Sequence, residues 1–211
     1  MNAEINWKAE IEDARLDQEI KAALQVYVEY CEQSELPIIF NLRHLSVLTG
    51  LDHILLKKII NSTHSFYYDF SIPKKSGGKR KISAPYPTIA HLQRWISHNI
   101  LSRFQIHNAA TAYIKQRSII DHVQPHANNY SILVLDLKDF FPSITLMKIK
   151  NLFEEIGYPD HISFFLSKIC TLKDVLPQGA PSSPPLSNLI GYRIDFKLQE
   201  YCTKHRLNYT R

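Results

Sequence analysis

An apolar run that ends in a carboxylate is the feature that most constrains how this chain can fold. Residues 131–137 read Ser-Ile-Leu-Val-Leu-Asp-Leu, and residues 138–143 continue with Lys-Asp-Phe-Phe-Pro-Ser. A short aliphatic run of this kind predicts a buried strand, because strands covered on both faces are apolar almost throughout. At the strand end the carboxylate of Asp136 can leave the core and bind a hard cation such as Mg²⁺. The competing interpretation is an ordinary Asp that caps the next helix, a role for which Asp139 and Ser143 also qualify.

A second segment, residues 175–189, combines turn residues with a helix start. It reads Val-Leu-Pro-Gln-Gly-Ala-Pro-Ser-Ser-Pro-Pro-Leu-Ser-Asn-Leu. We expect Ser183 to cap a helix that begins with prolines, which are favoured in the first helical turn. Free backbone N–H groups at such an end can face a nucleotide or a template strand, and Gly179 allows close approach because it has no Cβ. A plain proline-rich loop that enters a helix is the alternative.

Residues 66–85 predict a β-hairpin with a basic tip. Aromatic and polar residues alternate up to Pro73, and residues 74–81 then place five Lys or Arg around Gly77 and Gly78. Two adjacent glycines permit a tight turn with positive φ, and the cations would present an electropositive tip to phosphates. A solvated surface turn is an equally good interpretation of the hairpin taken alone.

Most of the remaining chain is predicted to be helical. Ser118 is suited to cap a short helix, and His122 and His126 are four residues apart but have no third metal ligand nearby in sequence. Helical spacing of apolar residues predicts one or two helices in residues 4–32, a two-helix unit turning at Gly50, and helices over 92–101, 145–156 and 160–170.

Composition sets broad limits on the class of protein. The 211 residues are 45% hydrophobic and 21% charged, which fits one folded domain or one domain with a small appendage. A net charge of +5 favours a phosphate-rich partner only weakly. The three cysteines are far apart and form no CxxC pair, so neither a disulfide framework nor a zinc site is expected. With no signal pattern and no apolar run long enough to span a bilayer, the expectation is a cytoplasmic protein with no membrane partner.

The two motif segments together resemble the palm signature of reverse transcriptases. Residues 135–143, Leu-Asp-Leu-Lys-Asp-Phe-Phe-Pro-Ser, are followed about forty residues later by residues 176–184, Leu-Pro-Gln-Gly-Ala-Pro-Ser-Ser-Pro. The pair resembles most closely the retron and related prokaryotic enzymes, and the basic hairpin and residues 117–119 match their finger motifs in order. The resemblance covers roughly residues 40–211 and leaves the first forty outside it.

The resemblance implies an α/β (α+β) fold with the fingers and a partial palm of a right-hand polymerase. Its expected divisions are an N-terminal helical extension at 1–40, fingers at 41–130 and a partial palm at 131–211, with the thumb absent. Residues 131–137 and 207–211 are expected to be palm strands.

The resemblance also implies site residues. Asp136 would be the catalytic aspartate and, with the Leu137 carbonyl, would bind two Mg²⁺ ions. Phe141 would be the steric gate that excludes the 2′-hydroxyl of ribonucleotides. Residues expected to bind the nucleotide or template are Lys75, Arg80, Asp139, Phe140, Gln178 and Gly179, and further nucleic-acid contacts are expected at Lys74, Lys79, Arg117 and Ser118.

The implied activity is RNA-directed DNA synthesis on a structured noncoding RNA in anti-phage defence. Its partners would be the RNA template and primer, nascent DNA, deoxynucleotides and a retron effector protein. The family places a Tyr-x-Asp-Asp hairpin directly after a segment like residues 207–211, so the 211 residues are expected to be inactive alone. The alternatives are a non-catalytic RNA-binding fragment and a group II intron or CRISPR-associated reverse transcriptase.

Overall fold

Helices and one small sheet make up the computed structural model, which describes residues 5–73, 77–114 and 116–211. In chain order the elements are α1 (Trp7–Asp13), α2 (Gln18–Gln33), α3 (Leu42–Thr49), α4 (His53–Asn61), β1 (Tyr67–Pro73), β2 (Lys79–Pro85), α5 (Pro87–Asn99), α6 (Ile119–Val123), α7 (Leu146–Ile156), α8 (Asp160–Cys170) and α9 (Ser183–Lys204). This mixture of helices and a small sheet confirms the expected fold class. The division at residues 40 and 130 stays a prediction.

Side-chain caps and glycines set several helix ends, and the two glycine ends are the ones that the sequence predicts. The Asp52 carboxylate accepts hydrogen bonds from the N–H groups of Ile54 and Leu55 at the start of α4. Gly50 ends α3 in the left-handed region at φ 68°, and Gly157 ends α7 at φ 112°. Both are conformations that residues with a Cβ rarely adopt, so each glycine stops its helix without strain.

The hairpin β1–β2 is antiparallel and pairs Tyr67 with Pro85 through to Pro73 with Lys79. Just before β2, Gly77 and Gly78 have φ values of 87° and 79°, in the left-handed region that glycine adopts without strain. The base of the hairpin is fixed to the helical body, because the buried Gln93 side chain of α5 donates to the Tyr67 hydroxyl at 2.6 Å and to the Ile169 carbonyl at 2.8 Å.

One core of buried apolar side chains joins α5, α7 and α8. Phe153 of α7, Leu92 of α5 and Leu166 of α8 are all fully buried. The cluster extends from Cys31 in α2 to Leu186 in α9, so the N-terminal helices and the start of α9 share it. Burial of an aliphatic side chain contributes about 1.5–3 kcal/mol, which makes this cluster the main source of stability.

The two expected palm strands are not strands in the structure. Residues 131–137 and 207–211 have no regular secondary structure, and only Arg211 of the second segment pairs its backbone with the loop before α6. There the Arg211 N–H donates to the Ala109 carbonyl at 2.6 Å and the Thr111 N–H donates to the Arg211 carbonyl at 2.7 Å. A strand exists only beside a partner, and the structure gives residues 131–137 no ladder with any described residue.

Three predicted capping roles are also corrected. α7 begins at Leu146, where the Thr145 hydroxyl accepts from the Lys148 N–H, so neither Asp139 nor Ser143 caps it. Ser183 is the first residue of α9 rather than its cap, and its hydroxyl donates to the Pro177 carbonyl at 2.7 Å. That bond closes the loop before α9 onto itself and leaves the hydroxyl no role at the helix end.

Candidate active site

Asp136 and Leu137 lie on an extended, solvent-exposed segment. The side chains of Leu133, Val134 and Leu135 are 81%, 84% and 80% exposed, and Leu137 is 56% exposed. The expectation of a buried strand that ends in a carboxylate is therefore wrong for this structure. The Asp136 carboxylate is accessible, as a metal ligand must be, but no described residue holds it in place by a hydrogen bond.

A compact turn follows and is tied to the loop before α9. Asp139 has φ 51°, and its carbonyl accepts from the Ser143 N–H at 2.9 Å. The rings of Phe140 and Phe141 meet edge to face at 5.9 Å and pack against the core. The Leu176 N–H then donates to the Ile144 carbonyl at 2.9 Å. The turn after Asp136 and the segment that contains Gln178 are thus joined through their backbones.

Gln178 and Gly179 lie against the outer edge of β2. The Ser83 N–H donates to the Gln178 carbonyl at 3.0 Å. Gly179 has φ 119°, and a Cβ built on it would lie 2.9 Å from both the Ser83 carbonyl oxygen and Cγ2 of Ile82. The missing side chain therefore admits the hairpin backbone, a contact that was not predicted from the sequence, and the nucleotide or template contact of Gly179 stays a prediction.

The hairpin presents its described cations on two faces. The register places Arg80 opposite Ile72, on the same face as Phe70 and Ile82, whereas Lys79 and Lys81 project from the other face. Lys81 is paired with Asp69 at 2.8 Å, and hydrogen bonds from Lys81 and Ser83 lower the pKa of the Asp69 carboxyl. Lys74 and Lys75, both predicted contacts, lie outside the described residues.

Arg117 and Ser118 are placed at the start of α6. The Ser118 hydroxyl and N–H both bond Asp121 in a capping box, at 2.8 Å and 2.7 Å. Arg117 is 3.7 Å from Asp121, and its side chain is 41% exposed. Ser118 therefore caps the helix as predicted, while the Arg117 guanidinium remains open to solvent on one side.

A buried ion pair joins α9 to residues 209–211 and was not predicted from the sequence. Asp195 is fully buried and accepts from Nε and Nη2 of Arg211 at 2.8 Å and 2.6 Å and from the Tyr209 hydroxyl at 2.8 Å. Gly191 makes room for the guanidinium, since a Cβ there would lie 2.9 Å from Nη2. The only sequence signal was an Asp among the apolar residues of a helix, which does not identify a partner sixteen positions away.

The described residues do not complete a metal site. Among them there is no group of three His, Cys, Asp or Glu side chains placed to hold a metal ion. His122 and His126 contact the hydroxyls of Thr111 and Thr210 instead, at 3.1 Å and 2.8 Å. Asp136 and the Leu137 carbonyl could supply two ligands, fewer than two divalent cations need. No helix in the described ranges is long and apolar enough to cross a membrane.

The family follows from comparison with known proteins. Residues 72–210 match the model of the family described as reverse transcriptase (RNA-dependent DNA polymerase). The chain belongs to the reverse transcriptase family. The matched range runs from the end of β1 to residue 210, so it contains both motif segments, the hairpin tip and the loop that Gln178 shares with Ser83.

Several curated reverse transcriptases are similar to this one. The Retron Ec86 reverse transcriptase of Escherichia coli is 38% identical over 178 residues, which cover 83% of this chain and 56% of that protein. The Retron Mx162 enzyme of Myxococcus xanthus is 31% identical over 173 residues, 74% of this chain and 35% of that one. The chain thus spans about half or less of the length of these relatives. Their shared retron designation confirms the expected resemblance to retron-type enzymes.

Proposed function

We propose that this chain is part of a retron-type RNA-directed DNA polymerase that copies a structured noncoding RNA into DNA. The observation that carries the proposal is the family match over residues 72–210, which includes both motif segments. The similarity to reverse transcriptases named for retrons supports the retron type. Anti-phage defence, a retron effector protein as partner and a cytoplasmic location stay predictions.

In the proposed reaction the 3′-hydroxyl oxygen of a primer attacks the α-phosphorus of a deoxynucleoside triphosphate. The new O–P bond replaces the bond to pyrophosphate, which leaves, and the hydroxyl proton is lost to solvent. We assign Asp136 and the Leu137 carbonyl as ligands of Mg²⁺, because the Asp136 side chain is accessible and oxygen ligands suit this cation. Mg²⁺ in such a site offsets negative charge on the reacting phosphates.

The remaining assignments place substrate around the turn, the loop and the hairpin. A bulky ring at Phe141 beneath the sugar would leave no room for a 2′-hydroxyl. Arg80 at the exposed hairpin tip is suited to pair with the triphosphate, since charge-assisted bonds to phosphate are strong. Further substrate contacts are proposed at Lys75, Asp139, Phe140, Gln178 and Gly179, and nucleic-acid contacts at Lys74, Lys79, Arg117 and Ser118.

Primer extension on an RNA template tests the proposal. The full-length protein that contains this chain would be compared with its Asp136→Asn variant and with Asp160→Asn, a control whose carboxylate is 79% exposed at the start of α8. We expect Mg²⁺-dependent extension by the unaltered protein and by the control, and loss of extension in Asp136→Asn with RNA binding retained. Extension that survives Asp136→Asn would contradict the assignment. RNA binding without extension in any form would favour the non-catalytic alternative.

A further inference from the structure

An apolar groove lies between the two N-terminal helices, outside the residues matched to the family. Its volume is about 220 Å³, and Trp7, Ile11, Leu16, Leu24 and Phe40 form most of its wall. Pockets that hold small organic ligands measure roughly 300–1,000 Å³. The groove is therefore better matched to one or two side chains inserted by a partner protein than to a cofactor or a nucleotide.

The Trp7 side of the groove is an aromatic cluster without positive charge. The Trp7 ring meets Phe40 edge to face at 5.1 Å and lies 5.2 Å from the His44 ring. Burial lowers the pKa of His44, so its imidazole is neutral at neutral pH. Leu16, which also lines the groove, is 42% exposed. A concave apolar surface with exposed apolar side chains favours an interaction site.

Charge is strongly segregated between this region and the rest of the chain. Residues 1–35 contain nine Asp or Glu and three Lys or Arg, a net charge of −6. Because the whole chain carries +5, residues 36–211 carry +11. Phosphates will be attracted to the large basic part and repelled by the N-terminal helices, so the groove is not suited to nucleic acid.

Acidic side chains stand at the groove itself. Glu10 lines it, Asp13 ends α1, and Asp17 follows Leu16 at the N-cap of α2; these three carboxylates are exposed, and the exposed Arg15 is the one cation between Asp13 and Asp17. No salt bridge is formed by any of them with another described residue. An apolar centre with a negative rim is complementary to a helix that has leucine-like residues on one face and Lys or Arg beside them.

We propose that the groove formed by α1, α2 and Phe40 docks a basic amphipathic helix of a partner protein. The apolar side of that helix inserts one or two side chains into the groove, at positions i and i+3 or i+4, and its cations face Glu10, Asp13 and Asp17. Binding here is separate from polymerisation, since the proposed substrate residues begin at residue 74.

Fluorescence of Trp7 reports directly on the groove. The chain has two tryptophans, so Trp95→Phe in the full-length protein leaves Trp7 as the only one within this sequence. The probe is a synthetic helical peptide with Leu on one face and Lys on the other, and the matched control peptide has Glu in place of Lys. We expect the Leu/Lys peptide to shift Trp7 emission to shorter wavelength and to bind more weakly as salt increases, while the Leu/Glu peptide does not bind.

Variants distinguish peptide binding in the groove from non-specific electrostatic attraction to the protein surface. Leu16→Glu and, independently, Leu24→Glu are expected to abolish the emission shift, and Glu10→Lys with Asp13→Lys to weaken binding by about tenfold or more. Val47→Glu, on α3 at a side chain that is 78% exposed, should leave binding unchanged. Equal binding of both peptides, or loss of binding in Val47→Glu, would overturn the proposal. Three other results would also overturn it, because each gives the groove a different occupant. They are a Trp7 that is already shielded from solvent in the free protein, quenching of Trp7 fluorescence by single-stranded RNA, and a dimer of the protein that Leu16→Glu dissociates.

Discussion

Replacing Gly179 with alanine would push apart the hairpin and the loop that enters α9. The new Cβ would lie 2.9 Å from the Ser83 carbonyl oxygen and 2.9 Å from Cγ2 of Ile82, and one of these contacts is with backbone that cannot rotate away. Alanine at φ 119° also costs about 1–3 kcal/mol. If the hairpin moves to relieve the contact, the bond from the Ser83 N–H to the Gln178 carbonyl is lost, at about 1 kcal/mol. We therefore expect Gly179→Ala to lower the free energy of unfolding by about 2–4 kcal/mol.

Gly50→Ala is the matched control for this change. Gly50 also has positive φ, at 68°, but a Cβ there would meet nothing within 4 Å. Gly50→Ala should therefore lower the free energy of unfolding only by the strain of a left-handed backbone, about 1–2 kcal/mol. Urea unfolding measures both, and with a slope of about 2 kcal/mol/M the Gly179→Ala midpoint should fall by roughly 1–2 M. Equal losses in the two variants would refute the close contact with the hairpin.

The same variant separates a positioning role from a loss of folding. Arg80, the proposed triphosphate contact, is three residues from Ser83 on the same strand. If Gly179→Ala displaces the hairpin, primer extension below the unfolding transition should show a raised KM for deoxynucleotides with a smaller change in kcat. An unchanged KM would show that deoxynucleotide binding does not depend on the close approach of the hairpin to Gly179.

Three further changes test other parts of the structure. Phe141→Ala should raise incorporation of ribonucleotides relative to deoxynucleotides, while Phe164→Ala, on the partly exposed face of α8, should not. If neither variant changes this ratio, Phe141 is not the steric gate. Asp195→Asn should cost about 3–5 kcal/mol in thermal or urea unfolding because it strips the partner from the Arg211 guanidinium, and a loss under 1 kcal/mol would contradict the buried pair. Burial in the folded protein lowers the pKa of His44, so the unfolded chain binds the proton more readily, and the free energy of unfolding should fall as pH drops below about 6.5. His44→Phe should make that fall shallower, and an identical pH profile in the variant would show that His44 is not its cause.

Features that depend on neighbouring residues were predictable from the sequence. The hairpin was predicted around Gly77 and Gly78, and both glycines have positive φ in the structure. α7 ends at Gly157 and α8 spans Asp160–Cys170, as their spacing predicts. In each case the deciding interaction lies within a few positions along the chain, where periodicity, caps and turn residues carry the information.

Features that depend on distant segments were not predictable in this way. The backbone pairing of Arg211 with Ala109 and Thr111 spans about a hundred positions, and no pattern in either segment identifies the other. The Asp195–Arg211 pair is close in sequence, but it requires α9 to end and the chain to turn back. Of the candidate site, the motif pair was recognisable from order and spacing, whereas the contact of Gly179 with Ser83 became visible only from the fold.

The exposed segment at 131–137 shows what an apolar pattern does and does not determine. Ile132, Leu133, Val134 and Leu135 are 61–84% exposed, and full burial of each would contribute about 1.5–3 kcal/mol. That sum is large beside the typical net stability of a domain, about 5–15 kcal/mol, so the segment is strongly favoured to be covered when a suitable surface is available. Successive side chains of a strand point to opposite faces, and because this run is continuously apolar, both faces would be suited to burial. The pattern does not identify the segment that covers them, because the strand register and the neighbouring strand depend on the sequence of that other segment.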